Sequence, residues 1–493
     1  MFTAAFRRLT QFNAPILFQE VIFSSVGETA TLGTDVAISG DGMYLAAGAP
    51  FTDLDGIIHA GYVRLYAKSG TDWNLIQQIN GTQSDDKFGW SLDLSHNGSM
   101  LTVGSSHDSV SMFELSDSTF LYELFHTIDD INTYKVAISG DGMVIGVTSR
   151  NSSIGARIFE RIDDGFQQRG TDILGYGYYS GIAMNYDGTI AIVGDYAWPN
   201  STRIGRAAVF QLTDNKDGSM EWMQMGSDIT GDAARDELGW LGCVAITYDG
   251  LTVAVGAEGS NWDEGLVRVY NYNVTEDTWK QSGSDLVGDN RGDEFSKTAF
   301  SSDGTYLAVG AYDSYDSYGY VKIFEKIGNS YEMVGDLIIS ESEGGVYFGW
   351  SVDLSADGST LAIGDWGFDN AKGRIHLYDT FTSSPTIPYT ITPTESSSLP
   401  PSMHESIIPT ALPTVSPSIA TFPPTKVPSY SPSKASPTNP TRDITNPPSK
   451  HASNRPTLNF ITHPSDVPSA APIIPKHTAL RVFQVIVILA ALL

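Results

Sequence analysis

The sequence predicts an all-β fold, a seven-bladed β-propeller of four-stranded antiparallel blades. The first observation is a repeat, because the octapeptide VAISGDGM occurs at Val36–Met43 and again at Val136–Met143. Looser copies of its Ser-x-Asp-Gly core raise the number to seven and end at Gly42, Gly98, Gly142, Gly188, Gly250, Gly304 and Gly358. The second is the mean spacing of these glycines, about 53 residues, which with several short strands per period is typical of a propeller.

A second glycine follows the first by six residues in six of the seven copies, and only the third copy has Thr148 instead. The fifth copy shows what one repeat encodes: a short β-branched run, a turn at Tyr248-Asp249-Gly250, then the runs TVAVGA and GLVRVYNY and a fourth run near Thr278-Trp279. The aspartate accepts a backbone N–H across the turn, and the glycine supplies the positive φ. Each repeat is therefore predicted to be a four-stranded meander whose two apolar faces pack against neighbouring blades.

The seventh copy ends after three strands, near Thr380. The N-terminal stretch Pro15–Ser39 matches Asn74–Ser95, which contains a fourth strand and the start of the next repeat. We therefore expect an N-terminal strand to complete the last blade, so that residues 15–381 form the propeller. Residues 1–14 are left unassigned.

Charge divides the chain into two parts. The whole sequence carries 57 acidic and 29 basic side chains, of which residues 382–493 hold only 4 and 7, so the first 381 residues have a net charge near −31. A domain this acidic repels phosphates and anionic lipid headgroups, which argues against nucleic acid and membrane surfaces as its partners. We expect a monomeric head. Cys243 is the single cysteine and is interpreted as a small buried hydrophobic residue in a strand.

Residues 382–478 are rich in Pro, Ser and Thr and predict a disordered stalk with many candidate O-glycosylation sites. Residues 479–493 form a hydrophobic tail whose apolar run is too short to span a bilayer. The small residues Ser469-Ala470-Ala471, a spacer and this tail match a GPI-attachment signal with Ser469 as the attachment residue; a short membrane anchor is the alternative. No secretory signal is evident at the N-terminus, so either the N-terminus is incomplete as given or the tail signal is fortuitous, and the stalk favours the first.

Short motifs connect the repeats to a known family. Phe88-Gly89, Leu238-Gly239 and Phe348-Gly349 open three repeats, and Gly48-Ala49-Pro50 ends the second strand of the first. These motifs resemble the FG-GAP repeat of integrin α-chain-like propellers, and the resemblance covers residues 15–381. The calcium-binding repeats of that family carry a long Asp-rich loop between strands one and two. Here this loop is the tight Ser-x-Asp-Gly turn, which departs from the family pattern.

In a meander, loops 2–3 and 4–1 lie at one end of the blade, and loops 1–2 and 3–4 lie at the other. Many carboxylates fall in loops 2–3 and 4–1. Among them, Asp53, Asp55, Asp365 and Asp369 are candidate ligands for Ca²⁺, which prefers oxygen ligands. The alternative is a solvated acidic rim that keeps the protein soluble.

Loop 2–3 of the sixth blade, within AYDSYDSYGY, is unusually rich in tyrosine. Exposed tyrosines beside aspartates favour contacts with proteins or sugars, so the candidate ligand-binding residues are Tyr312, Asp313, Tyr315, Asp316 and Tyr318. The alternative is that some of these rings pack onto neighbouring loops. The tripeptide Arg291-Gly292-Asp293 lies where other copies have SDDKFG and ARDELG, so it is interpreted as an ordinary variant of loop 4–1.

The sequence contains no HExxH, GxSxG or Walker motif, and an enzyme is the less favoured interpretation. We expect an extracellular or cell-surface recognition or adhesion protein that binds a protein or glycan ligand through one loop face. One alternative is a secreted propeller hydrolase or lyase acting on polysaccharide, which predicts carboxylates that converge at the channel mouth. Another is an intracellular protein-interaction scaffold.

Overall fold

The computed structural model describes residues 30–106, 109–149, 155–176, 179–313, 318–340 and 347–379, together with the backbone of residues 16–22. These residues form seven antiparallel sheets, each built on four strands that follow one another from the centre outwards. The predicted all-β, seven-bladed propeller is confirmed. By contacts the chain divides into two units, residues 1–387 and 388–493, and the described residues all lie in the first.

The strands are numbered in chain order. Blade one contains β2 (Val36–Ile38), β3 (Tyr44–Ala49), β4 (Tyr62–Ser69) and β5 (Asp72–Asn80). Blade two contains β6 (Ser91–Leu94), β7 (Met100–Gly104), β8 (Ser109–Leu115) and β9 (Tyr122–Asp129). Blade three contains β10 (Thr133–Ile138), β11 (Val144–Ser149), β12 (Ala156–Ile162) and β13 (Gly165–Gln168). Blade four contains β14 (Ile182–Met184), β15 (Ile190–Asp195), β16 (Arg206–Asp214) and β17 (Met220–Thr230).

The remaining blades have the same order. Blade five contains β18 (Val244–Ile246), β19 (Thr252–Ala257), β20 (Leu266–Asn273), β21 (Thr278–Gln281) and the additional short strand β22 (Leu286–Val287). Blade six contains β23 (Phe295–Phe300), β24 (Tyr306–Ala311), β25 (Tyr320–Ile327) and β26 (Ser330–Ile339). Blade seven contains β27 (Phe348–Leu354), β28 (Thr360–Asp365), β29 (Arg374–Asp379) and the N-terminal β1 (Ile16–Ile22). Two single turns, α1 (Ser260–Asp263) and α2 (Phe368–Ala371), lie in loops 2–3 of blades five and seven.

Blade seven is completed by the N-terminal strand, as the sequence predicts. β1 pairs antiparallel with β29, from Ile16 opposite Asp379 to Ile22 opposite Arg374. The first and last described strands are thereby hydrogen-bonded to each other, which joins the two ends of the ring.

The Ser-x-Asp-Gly turns owe their shape to side chains that bond the backbone of the same turn. In blade five, the Thr247 hydroxyl donates to Asp249 Oδ1 at 2.6 Å, and the same oxygen accepts the Leu251 N–H at 2.9 Å. Gly250 follows with a φ of 74°, which a residue with a Cβ rarely adopts. The aspartate thus accepts both the hydroxyl and an N–H that the tight turn leaves without a strand partner.

Hydrophobic clusters fill every junction between neighbouring blades of the described ring. The cluster that joins blades seven and one, for example, packs Val36 and Ile38 against Ile375 and Leu377. Because both faces of each sheet are apolar, a single blade would expose them, and only the closed ring buries all of them.

The second glycine of the repeat makes a close contact between blades in most copies. A Cβ on Gly48 would lie 2.0 Å from the backbone oxygen of Gly89, the motif glycine of the next blade. Blade three lacks this glycine, and there the Thr148 hydroxyl donates instead to the Ser180 backbone oxygen at 2.9 Å. Where the third copy departs from the repeat, a hydrogen bond therefore replaces the close packing contact of the glycine.

Candidate functional site at the channel mouth

The inner strands of the blades surround a central channel with a cavity of about 230 Å³. The lining includes Trp90, which directly precedes inner strand β6, and Trp350, which lies near the start of inner strand β27. It also includes Gly40 and Gly140, which lie in the turns after inner strands β2 and β10. Loops 2–3 and 4–1 therefore border one end of the channel, and loops 1–2 border the other. The two ends differ in construction.

The end at loops 1–2 is closed by a ring of backbone hydrogen bonds. Each bond joins the turn of one blade to the turn of the next blade, and together they pass through all seven blades: Asp41 to His96, His96 to Gly140, Asp141 to Tyr186, Tyr186 to Tyr248, Tyr248 to Ser302, Ser302 to Ala356 and Ala356 to Gly40. The N···O distances are 2.8–3.2 Å. This ring fixes the turns at the narrow end of the channel.

Three aromatic side chains lie inside that ring. His96, Tyr186 and Tyr248 pack with ring centroids 5.2–6.0 Å apart, and His96 Nδ1 lies 3.1 Å from the Tyr248 hydroxyl. They occupy the second position of their turns, where blades one and three have Gly40 and Gly140. The glycines make room for them, because a Cβ on Gly40 would lie 2.1 Å from His96 Nδ1. The rings thus plug this end.

The opposite end, the channel mouth, is bordered by aromatic rings that remain partly exposed. Trp240 and Trp350 directly follow the motif glycines, and their ring centroids are 6.2 Å apart. Trp366, from loop 2–3 of blade seven, stacks on Tyr347 at 4.2 Å and lies 6.0 Å from Trp350. All three tryptophans are half-buried, so each offers part of its ring to a ligand.

Lys297, on β23, is enclosed beneath these rings. Its Nζ lies 4.5 Å from the ring centroid of Trp240, 5.0 Å from that of Tyr312 and 5.1 Å from that of Trp350. It also donates to the Leu241 backbone oxygen at 2.9 Å. An ammonium over three aromatic faces is stabilised by cation–π attraction, and it holds the rings of three blades at fixed distances from one another.

Two glutamates share this environment. Glu258 Oε2 lies 3.5 Å from Lys297 Nζ and accepts the Tyr312 hydroxyl at 3.2 Å. Burial raises the pKa of Glu258 to about 8, although the nearby Lys297 ammonium opposes that rise. Burial, followed by the charge of Glu258, raises the pKa of Glu294 well above its ordinary value. Perturbed carboxyl groups of this kind concentrate at functional sites, and carboxylates do converge at the mouth.

A second group of charges lies deeper in the channel. Asp93 and Asp353 occupy the position where the other five blades have alanine, and each accepts a backbone N–H from the inner strand of the next blade. Asp93 Oδ2 bonds the Ile138 N–H, and Asp353 Oδ2 bonds the Ile38 N–H, both at 2.8 Å. Burial raises the pKa of Asp93 to about 6 and that of Asp353 to about 8.

The candidate ligand-binding loop of blade six is only partly described. Tyr312 is 2% exposed and packs edge-on against Trp350 at 4.7 Å, so it belongs to the wall of the mouth. Asp313 is half-buried and its N–H donates to the Asp293 backbone oxygen, whereas Tyr318 is 39% exposed. Tyr315 and Asp316 lie outside the described residues, as does Ser469, the candidate lipid-attachment residue.

The four candidate calcium ligands are not gathered into one site. Asp53 and Asp55 are exposed in loop 2–3 of blade one, where Asp53 Oδ1 accepts the His59 N–H at 2.7 Å. In blade seven, Asp365 is fully buried against the Arg374 guanidinium at 2.8 Å, and Asp369 is exposed and paired with Lys372. The part of the chain that the structure describes contains no group of three or more His, Cys, Asp or Glu residues placed to hold a metal ion.

The Arg-Gly-Asp tripeptide is structural, as its place in the repeat indicates. Asp293 is fully buried, and its Oδ2 accepts the backbone N–H groups of Asp289 and Asn290 and the Tyr320 hydroxyl. This carboxylate oxygen is therefore occupied by hydrogen bonds within the protein.

Apart from Tyr312, sequence reasoning missed the residues that build the mouth. The tryptophan that follows the motif glycine in FGW, LGW and FGW was the available signal, because three repeats place it identically. Glu258 had no comparable signal, because only blade five has a glutamate at that repeat position, and Lys297 shares its repeat position with Lys135 of blade three. The contact between Lys297 and Glu258 also joins residues that are distant in the sequence.

Comparisons with known proteins identify no family for the chain. No family model matches the chain, and no curated protein sequence matches it. Among solved structures, it is similar to the crystal structure of the Cps50 (Swd1) β-propeller domain of Myceliophteria thermophila, with a TM-score of 0.48, 13% identity and coverage of 73% of this chain and 99% of that one. The seven blades are therefore assigned from the strand pairing described above.

Proposed function

We propose that the protein is a recognition protein that binds a protein or glycan ligand at the channel mouth. The observation that carries the proposal is the difference between the two ends of the channel. At one end His96, Tyr186 and Tyr248 contact one another inside the closed backbone ring, although Tyr186 is 41% exposed. At the other end half-buried tryptophans surround Lys297 with no such ring of backbone hydrogen bonds among the described residues. Partly exposed aromatic rings in a concave site favour ligand contacts, because they offer a large apolar area at little entropic cost.

The kinship with FG-GAP propellers belongs to the same proposal. It is supported by the motif glycines Gly89 and Gly349, whose φ values of 88° and 86° allow them to meet the second glycine of the preceding blade. The fold itself hosts many functions, so the ligand has to be identified by experiment.

The test is a screen of the labelled protein on a glycan array and on a library of cell-surface ectodomains. Ligands found there are then titrated against Trp366→Ala, which removes an aromatic ring from the mouth, and Met143→Ala, which changes an exposed residue of loop 1–2 at the opposite end. We expect Trp366→Ala to weaken binding about tenfold or more, as for a buried aromatic contact, and Met143→Ala to leave it unchanged. The reverse pattern would place the ligand at the other end and refute the proposal.

Glu258 and Glu294 favour a second candidate, a hydrolase or lyase acting on polysaccharide, because this interpretation predicts carboxylates that converge at the mouth. Against it, Glu258 is 5% exposed and already contacts Lys297 and Tyr312. Binding is therefore the better-supported function. Incubation with a panel of acidic and neutral polysaccharides decides between them, since new reducing ends that disappear in Glu294→Gln would establish the enzyme.

Surface display is also proposed, with residues 382–478 as a stalk and the C-terminus as a GPI signal. Among the described residues, no helix has the length and apolar character needed to cross a membrane. The chain is to be expressed behind a secretory leader in a eukaryotic cell and treated with phosphatidylinositol-specific phospholipase C. Release supports the lipid anchor, whereas retention after the enzyme supports a short membrane anchor and failure to reach the surface supports the intracellular scaffold.

A further inference from the structure

The contact between Cys243 and Lys297 is one that neither ligand binding nor the fold requires. Lys297 Nζ lies 3.5 Å from Cys243 Sγ, and the two residues are 0% and 2% exposed. Cys243 directly precedes the inner strand of blade five, and Lys297 lies on the inner strand of blade six. A nucleophilic nitrogen and an oxidisable sulfur from adjacent blades are thus held together beneath the channel mouth.

Three further features bear on the chemistry of this pair. The chain has a single cysteine, so an oxidised Cys243 has no second thiol in the chain with which to form a disulfide. Glu258 Oε2, 3.5 Å from Lys297 Nζ, is placed to take a proton from the ammonium. Leu241, Gly242 and Lys297 line the channel, so the amine of the pair borders the cavity, and the fully buried thiol lies in contact with that amine.

We propose that Cys243 and Lys297 form an oxidative cross-link, a bond between Sγ and Nζ that joins blade five to blade six, with a peroxide as the oxidant. The thiol first attacks one peroxide oxygen, so that an S–O bond forms, the O–O bond breaks and water leaves, which gives a sulfenic acid. Towards pH 8 and above, where Glu258 is ionised, Lys297 hands one proton to the Glu258 carboxylate, and its neutral amine attacks the sulfur. The N–S bond forms as the S–O bond breaks, and the departing hydroxide takes a second amine proton and leaves as water.

Atoms and electrons balance in this reaction, because sulfur loses two electrons, the peroxide is reduced to two waters and Glu258 ends protonated. Burial raises the pKa of Glu258 to about 8, so the carboxylate that accepts this proton is present mainly above that pH, and the link should form faster there. Burial also raises the pKa of the Cys243 thiol, so the resting form is the less reactive thiol and the reaction is slow. A covalent link between inner strands restricts the unfolded chain and stabilises the ring.

The experiment treats the full chain with hydrogen peroxide, removes the oxidant with catalase, alkylates free thiols in denaturant and digests with trypsin. We expect mass spectrometry to find residues 236–268 linked to residues 292–322, with a mass about 2 Da below the sum of the two peptides, because two hydrogens are lost on linkage. Trypsin should no longer cleave after Lys297. Neither peptide contains methionine, so methionine oxidation does not disturb the measurement. Dithiothreitol should restore both the alkylatable thiol and the cleavage.

Lys297→Met is the matched variant, because it keeps an unbranched side chain among the rings and removes the amine. It should give no linked peptide and should leave Cys243 as the sulfenic or sulfinic acid. Oxidation should raise the melting temperature of the unsubstituted protein, reversibly with dithiothreitol, and should not raise that of Cys243→Ala. The proposal is overturned if the unsubstituted protein carries sulfinic acid or unmodified thiol at Cys243 while trypsin still cleaves after Lys297. A link from Cys243 to any other residue would overturn it as well.

Discussion

Asp353 shows how one side chain in the channel makes the stability of the ring depend on pH. Its two carboxylate oxygens accept the backbone N–H groups of Ile38 and Leu354, yet burial, reinforced by the charge of Asp93, raises its pKa to about 8. In the unfolded chain the carboxyl has its ordinary pKa near about 4. Between these two pKa values the folded protein binds the proton more tightly than the unfolded chain does. The free energy of unfolding therefore has its full contribution from Asp353 at low pH and loses it as the pH rises towards 8.

We therefore expect the melting temperature to fall between about pH 5 and pH 8, and Asp353→Asn to show a smaller fall over the same range. Asp93 and Lys135 act on the same carboxyl, and both remain in the variant. Asp217→Asn, in an exposed hairpin turn, is the control and should keep the full dependence. Equal pH profiles for Asp353→Asn and the unsubstituted protein would show that Asp353 titrates normally.

The turn aspartates give a second prediction at this scale. Asp249→Ala removes the acceptor of the Thr247 hydroxyl and of the Leu251 N–H, so we expect a loss of about 1–3 kcal/mol in the free energy of unfolding, measured with urea. Asp217→Ala removes the same kind of acceptor from an exposed turn between strands three and four, where Asp217 Oδ1 accepts the Ser219 N–H. It should cost less, and an equal cost would mean that burial of the turn does not matter.

At the scale of the blade, the decisive contact is the pair of glycines between the second strand of one blade and the start of the next blade. In Gly310→Ala the new Cβ would lie 2.1 Å from the backbone oxygen of Gly349, so the two blades have to move apart, at a cost of about 3 kcal/mol. In Gly104→Ala the nearest atom would be Thr133 Cγ2 at 3.0 Å, the end of a side chain that can adjust. Urea unfolding of both variants tests this difference, and equal losses would contradict it.

These contacts also show which parts of the structure the sequence predicts. The turn residues act within a blade and recur in all seven copies, and glycine pairs join successive blades at four junctions. Because these contacts repeat along the chain, they predict the number of blades, the meander and its closure by β1. The mouth depends instead on Lys297, Glu258 and Tyr312, which come from two blades. Their residue types do not follow the repeat, because only Lys135 matches Lys297, only Tyr196 matches Tyr312 and no residue matches Glu258. Tyr312 illustrates the limit, because its loop is rich in polar residues while Trp350 of the next blade buries its ring.

At the scale of the whole molecule, the ring is held by one pairing between its first and last strands. β1 is the outermost strand of blade seven, and its partner β29 also pairs with β28. Deletion of residues 1–29 removes β1 and leaves the outer edge of β29 with unpaired N–H and C=O groups, a template for pairing with other chains. We expect the deletion to lower the melting temperature by at least about 5 °C and to cause aggregation on heating, measured by calorimetry and light scattering.

Deletion of residues 1–14 is the matched control, because it shortens the chain and keeps β1. It should leave the melting temperature unchanged, so any loss in the longer deletion is assigned to the strand pair. A synthetic peptide of residues 15–29, added to the longer deletion, should restore part of the melting temperature by pairing with β29. If both deletions melted at the temperature of the full chain, the ring would be held by the junctions between blades alone, and the pairing of β1 with β29 would contribute nothing to its closure.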